Sequence, residues 1–178
     1  MKIIYSILCL SLMLLACQPK VDNSASVAFE ANSKTVLAVL DGFQAESIDY
    51  ASIYADDAVI AVTGFGASKD SLNLDELKAS DQDNWTALDF KLLTDPVVLL
   101  PGVNADTKMA VGSVRYYGAW EVTRPATDST EARSGVLKIY QSFDFDADGK
   151  INNQSGYGDF TGIRNYINSK EEKEEAEE

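Results

Sequence analysis

The densest run of oxygen-bearing side chains at ligand spacing is Asp144-Phe145-Asp146-Ala147-Asp148-Gly149, followed by Asn152. Acids fall at loop positions 1, 3 and 5, glycine at 6, Ile151 at 8 and Asn152 at 9, which is most of a calcium loop. Position 12 is Ser155 instead of the bidentate glutamate that completes the shell, and the flanks read as strands. A β-hairpin accounts for the same residues without a metal, because Asp148-Gly149 supplies a positive-φ turn and leaves its acids in water. The hairpin is the leading reading; Asp144, Asp146, Asp148 and Asn152 are the alternative calcium set. Tyr157 and Asp159 close the outgoing arm, and an acid delivered by a strand is a place to look for a site. Asp56-Asp57 is not a catalytic pair, since adjacent side chains diverge; Asp57 is expected to end a helix and Asp56 to lie on the surface.

Other chemistries lack their residues. The 178-residue chain has no histidine, which removes the usual general base, the commonest metal ligand and any Ser-His or Cys-His arrangement. A net charge of −13 argues against a nucleic-acid partner, because phosphate binding needs a basic footprint. Aromatic residues supply the candidate walls of a ligand pocket: Tyr54, Trp85, Tyr116, Trp120, Tyr140 and Tyr157. Tyrosine and tryptophan join apolar area to one polar group, which suits a small organic ligand, yet the same residues serve equally well as ordinary core. Tyr116 and Trp120 share strand parity and should face one side; Arg115 and Tyr117 take the other.

These residues need elements to hold them. Lys2, the apolar run Ile3 to Leu15 and the ending Leu14-Leu15-Ala16-Cys17 read as an export signal, too short for a membrane span. The ending resembles a bacterial lipoprotein signal, which implies cleavage before Cys17 and lipidation of that cysteine. Cys9 would leave with the signal, so the mature domain would hold neither a disulfide nor a thiol, and zinc would lack its usual donors. The expected divisions are residues 1–16 as signal, 17–33 as lipidated cysteine and polar tether, 34–168 as one domain, and 169–178 as a solvated acidic tail.

Within the domain, Val36, Leu37, Val39, Leu40 and Phe43 form a helical stripe with Ser33 as its N-cap. A short helix after Ser47 should bury Ile48, Ala51, Ile53 and Tyr54, ahead of a first strand from Val59 to Thr63. Gly64-Phe65-Gly66 is a turn, and Leu72 to Leu88 favours a helix burying Trp85 and Leu88. Strands follow over Phe90–Leu100, ended by a Pro101-Gly102 turn, then Met109–Thr123 and Val136–Phe145, with Pro125–Ala132 a polar loop. Helices first and long antiparallel strands afterwards argue for an α+β domain.

Asp49-Tyr50-Ala51-Ser52-Ile53-Tyr54-Ala55-Asp56-Asp57-Ala58-Val59 resembles the second helix and first strand of the nuclear transport factor 2-like superfamily, in particular its SnoaL-like branch. Asp148-Gly149-Lys150-Ile151, with Asp159 eight residues beyond Ile151, resembles that family's last hairpin. The likeness covers about residues 34–168; residues 66–90 are longer and more polar than usual, and Pro125–Ala132 looks inserted. It implies a cone-shaped, curved, antiparallel-rich sheet packed by N-terminal helices around a pocket, the cystatin-like arrangement, with dimers through the sheet common. It also implies a role for Asp159, which corresponds to the pocket acid of enzymatic relatives such as polyketide cyclases. There it would serve as a general base with a pKa raised by burial; the alternative is that Asp159 caps a neighbouring element. The expected function is a lipid-anchored protein of the envelope, at the outer membrane, binding a small apolar or amphipathic ligand or a protein partner without catalysis or cofactor. The competing expectations are a cofactor-free isomerase, cyclase or hydratase using Asp159, and an accessory subunit whose pocket is filled by its own side chains.

Overall fold

A computed structural model describes residues 22–169. The segment expected to be an export signal, Cys17 and the expected acidic tail from residue 170 lie outside them. Helix α1 spans Ser24–Gln44 and buries Asn32, Val36, Val39 and Leu40. It opens inside the stretch expected to be a tether, so Ser33 is an interior residue and not the cap. The reason is tertiary. Ala28 packs against Gly112, where an added Cβ would lie 2.6 Å from the alanine methyl. One turn on, Asn32 donates to the Gly112 carbonyl at 2.7 Å. Alanine-rich sequence with a sheet to rest on extends a helix that polarity alone would end.

Helix α2 is a single turn, Tyr50–Ile53, with Asp49 accepting from the Ser52 amide at 3.3 Å. Strand β1 then runs Tyr54–Ala61. Asp57 therefore does not end a helix: Tyr54 already pairs with Ile151, and a bulge before Val59 turns the exposed Asp56 and Asp57 to water. After β2 (Ser71–Leu72), helix α3 (Leu74–Ala87) starts on a capping box in which Asn73 and Glu76 exchange side-chain-to-backbone bonds of 3.0 and 3.1 Å. The expected strand over 90–100 divides into β3 (Asp89–Leu92) and β4 (Val98–Val103). Pro101-Gly102 lies within β4 and makes no turn. Proline is tolerated there because β4 pairs with one neighbour only. Glycine is required because a Cβ at Gly102 would lie 2.1 Å from Ser113 Oγ.

The long strands are β5 (Ala110–Arg124), β6 (Arg133–Phe145) and β7 (Ile151–Gly158), followed by helix α4 (Phe160–Asn168). Gly149 adopts φ 76° at the β6–β7 turn. Asp146 Oδ1 accepts from the amides of Asp148 and Lys150, each at 2.9 Å, and closes it. The seven-stranded sheet has the order β2-β1-β7-β6-β5-β3, with β4 also on β5, and every pair is antiparallel except β1 with β7. The result is an α+β domain with a curved, unclosed sheet. Its inner face presents Val114, Tyr116, Trp120, Val122, Leu137 and Phe143 to α1. Helix α4 folds back across this face, held by Arg124 Nε to the Ile167 carbonyl at 2.7 Å and by Arg133 to the Ser169 carbonyl at 2.9 Å.

Candidate functional site

The helices and the inner sheet face line a partly open cavity of about 260 Å³. Helix α1 contributes Val39, Leu40 and Phe43; the sheet adds Phe90, Trp120, Val122, Leu137 and Ile139; α4 closes one side with Phe160, Ile163 and Ile167. Phe43 sets the aromatic wall, with its ring centroid 4.9 Å from Phe90 and 5.7 Å from Trp120, edge to face in both cases. The lining is mostly apolar, and its polar groups are few enough to be treated one by one.

Asp81 is the acid among them. Helix α3 buries Leu74, Leu77 and Asp81 on one stripe, and Asn84 continues it onto the cavity wall. Only 8% of Asp81 is exposed. The Tyr50 hydroxyl donates to its Oδ2 at 2.7 Å. Burial disfavours the charged carboxylate and pushes its pKa up to about 6, against the Tyr50 bond, which lowers it. The Tyr50 phenol is raised in turn, by burial first and then by Asp81. The neighbouring Tyr54, 1% exposed, donates to Gln154 Oε1 at 2.7 Å, and its ring lies 5.9 Å from that of Tyr50. Two tyrosines thus bring two hydrogen-bond acceptors, Asp81 and Gln154, into the same cavity. Gln141 and Arg164 complete the polar lining, Arg164 on the exposed side of α4.

Asp159 stands elsewhere. It is exposed, caps α4 by accepting from the Gly162 amide at 2.8 Å, and does not line the cavity. The strand ends before it, at Gly158, so the reacting position imagined for it is not beside it. Tyr54 and Trp120 line the cavity; Tyr116 does not. Tyr116 shares the inner face with Trp120, but its ring folds over Gly118, where a Cβ would meet its hydroxyl at 1.8 Å. There it is fully buried as core. Trp85 packs on Phe43 at 5.6 Å outside the lining. Tyr140 and Tyr157 project from the opposite face of the sheet, in register with Tyr117, at centroid spacings of 4.9 and 6.1 Å along the row. Parity explains this: Leu137 and Phe143 of β6 are buried inward, so Tyr140 must point out.

The calcium alternative also disperses. Asp144 pairs with Arg115 at 3.1 Å, Asp146 is engaged by turn amides, and Asp148 is exposed. Asn152 Oδ1 is buried without a partner. Among the described residues no three His, Cys, Asp or Glu side chains come together as a metal-holding group.

Sequence reasoning missed Asp81 and Tyr50 as a pair. The signal for Asp81 was its place on the apolar stripe of α3, at i+7 from Leu74 and i+4 from Leu77. The 31-residue separation from Tyr50 left no local mark of their contact.

No protein-family model and no curated sequence matches this chain. Solved structures do. A candidate SnoaL-like polyketide cyclase from Shewanella denitrificans OS-217 superposes with a TM-score of 0.54 at 13% identity, over 78% of this chain and 98% of its own. A candidate polyketide cyclase from Xanthomonas campestris pv. campestris gives a TM-score of 0.58 at 14% identity, over 79% and 98%. A nuclear transport factor 2-like protein from Burkholderia xenovorans LB400 gives 0.58 at 14%, over the same shares. The helices, the curved sheet and these superpositions together make the fold that of the nuclear transport factor 2-like, SnoaL-like proteins.

Proposed function

We propose that this chain is an exported protein, anchored in the outer membrane of the cell envelope through lipid on Cys17, whose cavity holds a small, mostly apolar molecule without transforming it. The observation that carries the binding reading is the apolar cavity with one buried carboxylate, Asp81, hydrogen-bonded to Tyr50. A concave apolar volume with a few placed polar groups selects by shape and orients by hydrogen bond. The absence of reaction is argued from Tyr54, whose hydroxyl is committed to Gln154 and is not available to a developing oxyanion. The row Val98, Tyr117, Tyr140 and Tyr157 on the outer sheet face supports a homodimer formed through that face.

A second reading is favoured by the pKa of Asp81, raised to about 6 in an apolar site, which suits a general base. In that reading the chain is a cofactor-free isomerase, cyclase or hydratase, with Asp81 in the place expected of Asp159. The candidate polyketide cyclases among the superposed structures lend it support.

The test is native mass spectrometry of the full chain purified from its own host's envelope, with the denatured sample for comparison. The expected result is a lipidated chain that releases a small molecule on denaturation. Repeated preparations that release nothing would argue against a binding protein. Membrane partitioning of a Cys17→Ser variant equal to that of the parent would remove the anchor. Conversion of the released molecule by fresh protein, lost in Asp81→Asn, would establish the enzyme reading instead.

A further inference from the structure

The ionic state of Asp81 narrows the ligand. Above its pKa of about 6 this residue is a buried anion. A carboxylate offers about four lone-pair sites, and among the described residues Tyr50 fills one of them. The ion pairs of the described residues are Lys69 with Glu76, Lys78 with Asp75 and Arg115 with Asp144, none of which involves Asp81. A buried charge without a counter-ion is expensive, and whatever enters the cavity is selected by how well it relieves that charge.

We infer that the cavity is built for a small organic monocation: a protonated primary or secondary amine on an apolar body, its ammonium paired with the open oxygen of Asp81 and its body against Phe43, Phe90 and Trp120. The inference rests on the binding role proposed for this cavity and names the ligand class for it. Three further observations support it. Apart from the exposed Arg164, the remaining polar side chains of Asn84, Gln141 and Gln154 on the wall are neutral amides, so a second charge on the ligand would find no partner among them. Tyr54 and Trp120 place aromatic rings on the wall, and such rings attract a cation through their quadrupoles. The chain carries a net charge of −13, which draws cations toward it and turns anions away. Arg164 is the one lining cation, and its exposure leaves its charge in water at the rim. Size follows from volume. A dry cavity of roughly 150 Å³ holds one benzene, so 260 Å³ accommodates a body of two fused rings.

The test is calorimetric titration of the full chain in zwitterionic lipid nanodiscs at pH 8, against empty discs, with 2-aminoindane, 2-indanol and indane-2-carboxylate. These probes share one apolar body and differ in charge. The expected result is that the amine binds at least about tenfold more tightly than the alcohol, the difference between a charge-assisted and a neutral hydrogen bond. The carboxylate should bind most weakly. In Asp81→Asn the amine-to-alcohol ratio falls to about one, and in Tyr50→Phe, which strips the carboxylate of its protein donor, the ratio rises. Equal affinity for amine and alcohol in the parent chain, or tightest binding of the carboxylate, would overturn the cation preference while leaving a binding cavity in place. Failure of all three probes to bind would remove the binding role itself, and the inference with it.

Discussion

Replacing Asp81 by asparagine should stabilise this protein at alkaline pH, although it alters a hydrogen-bonded polar residue in the interior. Asparagine keeps the shape and leaves an oxygen to accept from Tyr50. What it removes is the cost of ionising a buried carboxylate. The folded-state pKa of about 6 lies above the ordinary value of 3.8. Because the folded state holds the proton more tightly, this group's contribution is fully present below about pH 3.8 and is lost as pH rises through 6. A shift of this size corresponds to about 3 kcal/mol at pH 8, of which about 1 kcal/mol has already been lost at pH 4.5. Relative to the parent, Asp81→Asn should therefore gain about 2 kcal/mol between those two pH values, or roughly 4–8 °C in Tm for a domain of this size. The assay is thermal and urea unfolding of both proteins across pH 4.5–8, read as the difference between them so that the other acids cancel. A difference that does not change with pH would refute the reasoning, because Asp81 would then not be an ionised group confined in an apolar interior.

Three other outcomes follow from the packing. Tyr54→Phe leaves Gln154 Oε1 without its 2.7 Å donor in the core and should cost about 1–3 kcal/mol in urea unfolding; a change near zero would mean that water replaces the hydroxyl. Gly118→Ala puts a methyl where the Tyr116 hydroxyl lies and should cost about 1–3 kcal/mol by overpacking, with a near-ultraviolet dichroism change reporting displacement of Tyr116. Asp159→Ala should cost about 1 kcal/mol through the lost cap of α4, without changing occupancy of the cavity measured by native mass spectrometry; loss of the bound molecule would return Asp159 to the site.

The β-rich half was legible because its signals are local. Asp148-Gly149 needs a positive φ, and the alternation from Val136 to Phe143 needs only two-residue parity. The same parity already separated Tyr140 from the inner face, since it groups Tyr140 with Lys138 and Ser142 against Leu137 and Phe143. Treating Tyr140 as a pocket wall ignored that grouping. Asp159 misled for a related reason. An acid immediately before Phe160, Ile163 and Ile167 at helical spacing is an N-cap signature, and taking Asp159 as the end of the outgoing strand hid the helix that it caps. Asp81 was visible as an acid on an apolar stripe, yet the buried side of this helix was read from Trp85 and Leu88 and not from Leu74 and Leu77. Its importance comes from Tyr50 and the far wall, which only the assembled sheet brings near. The division of β3 from β4 and the early start of α1 depend on contacts with β5, far away in sequence.

The parallel pairing of β1 with β7 governs the order in which the chain can organise itself. Besides β7, the strand partner of β1 is the two-residue β2, so residues 54–61 have almost no sheet to join until residues 151–158 arrive. The β5–β6 and β6–β7 ladders are antiparallel and sequential, and they close over short loops. The meander should therefore nucleate, while the first-synthesised third of the domain docks last, after a long loop closure. Substitutions in β1 would then quicken unfolding and leave the folding rate nearly unchanged. A chain translocated N-terminus first would remain threadable through a narrow channel until its final hairpin had cleared, and the cavity would come into being as the last act of folding.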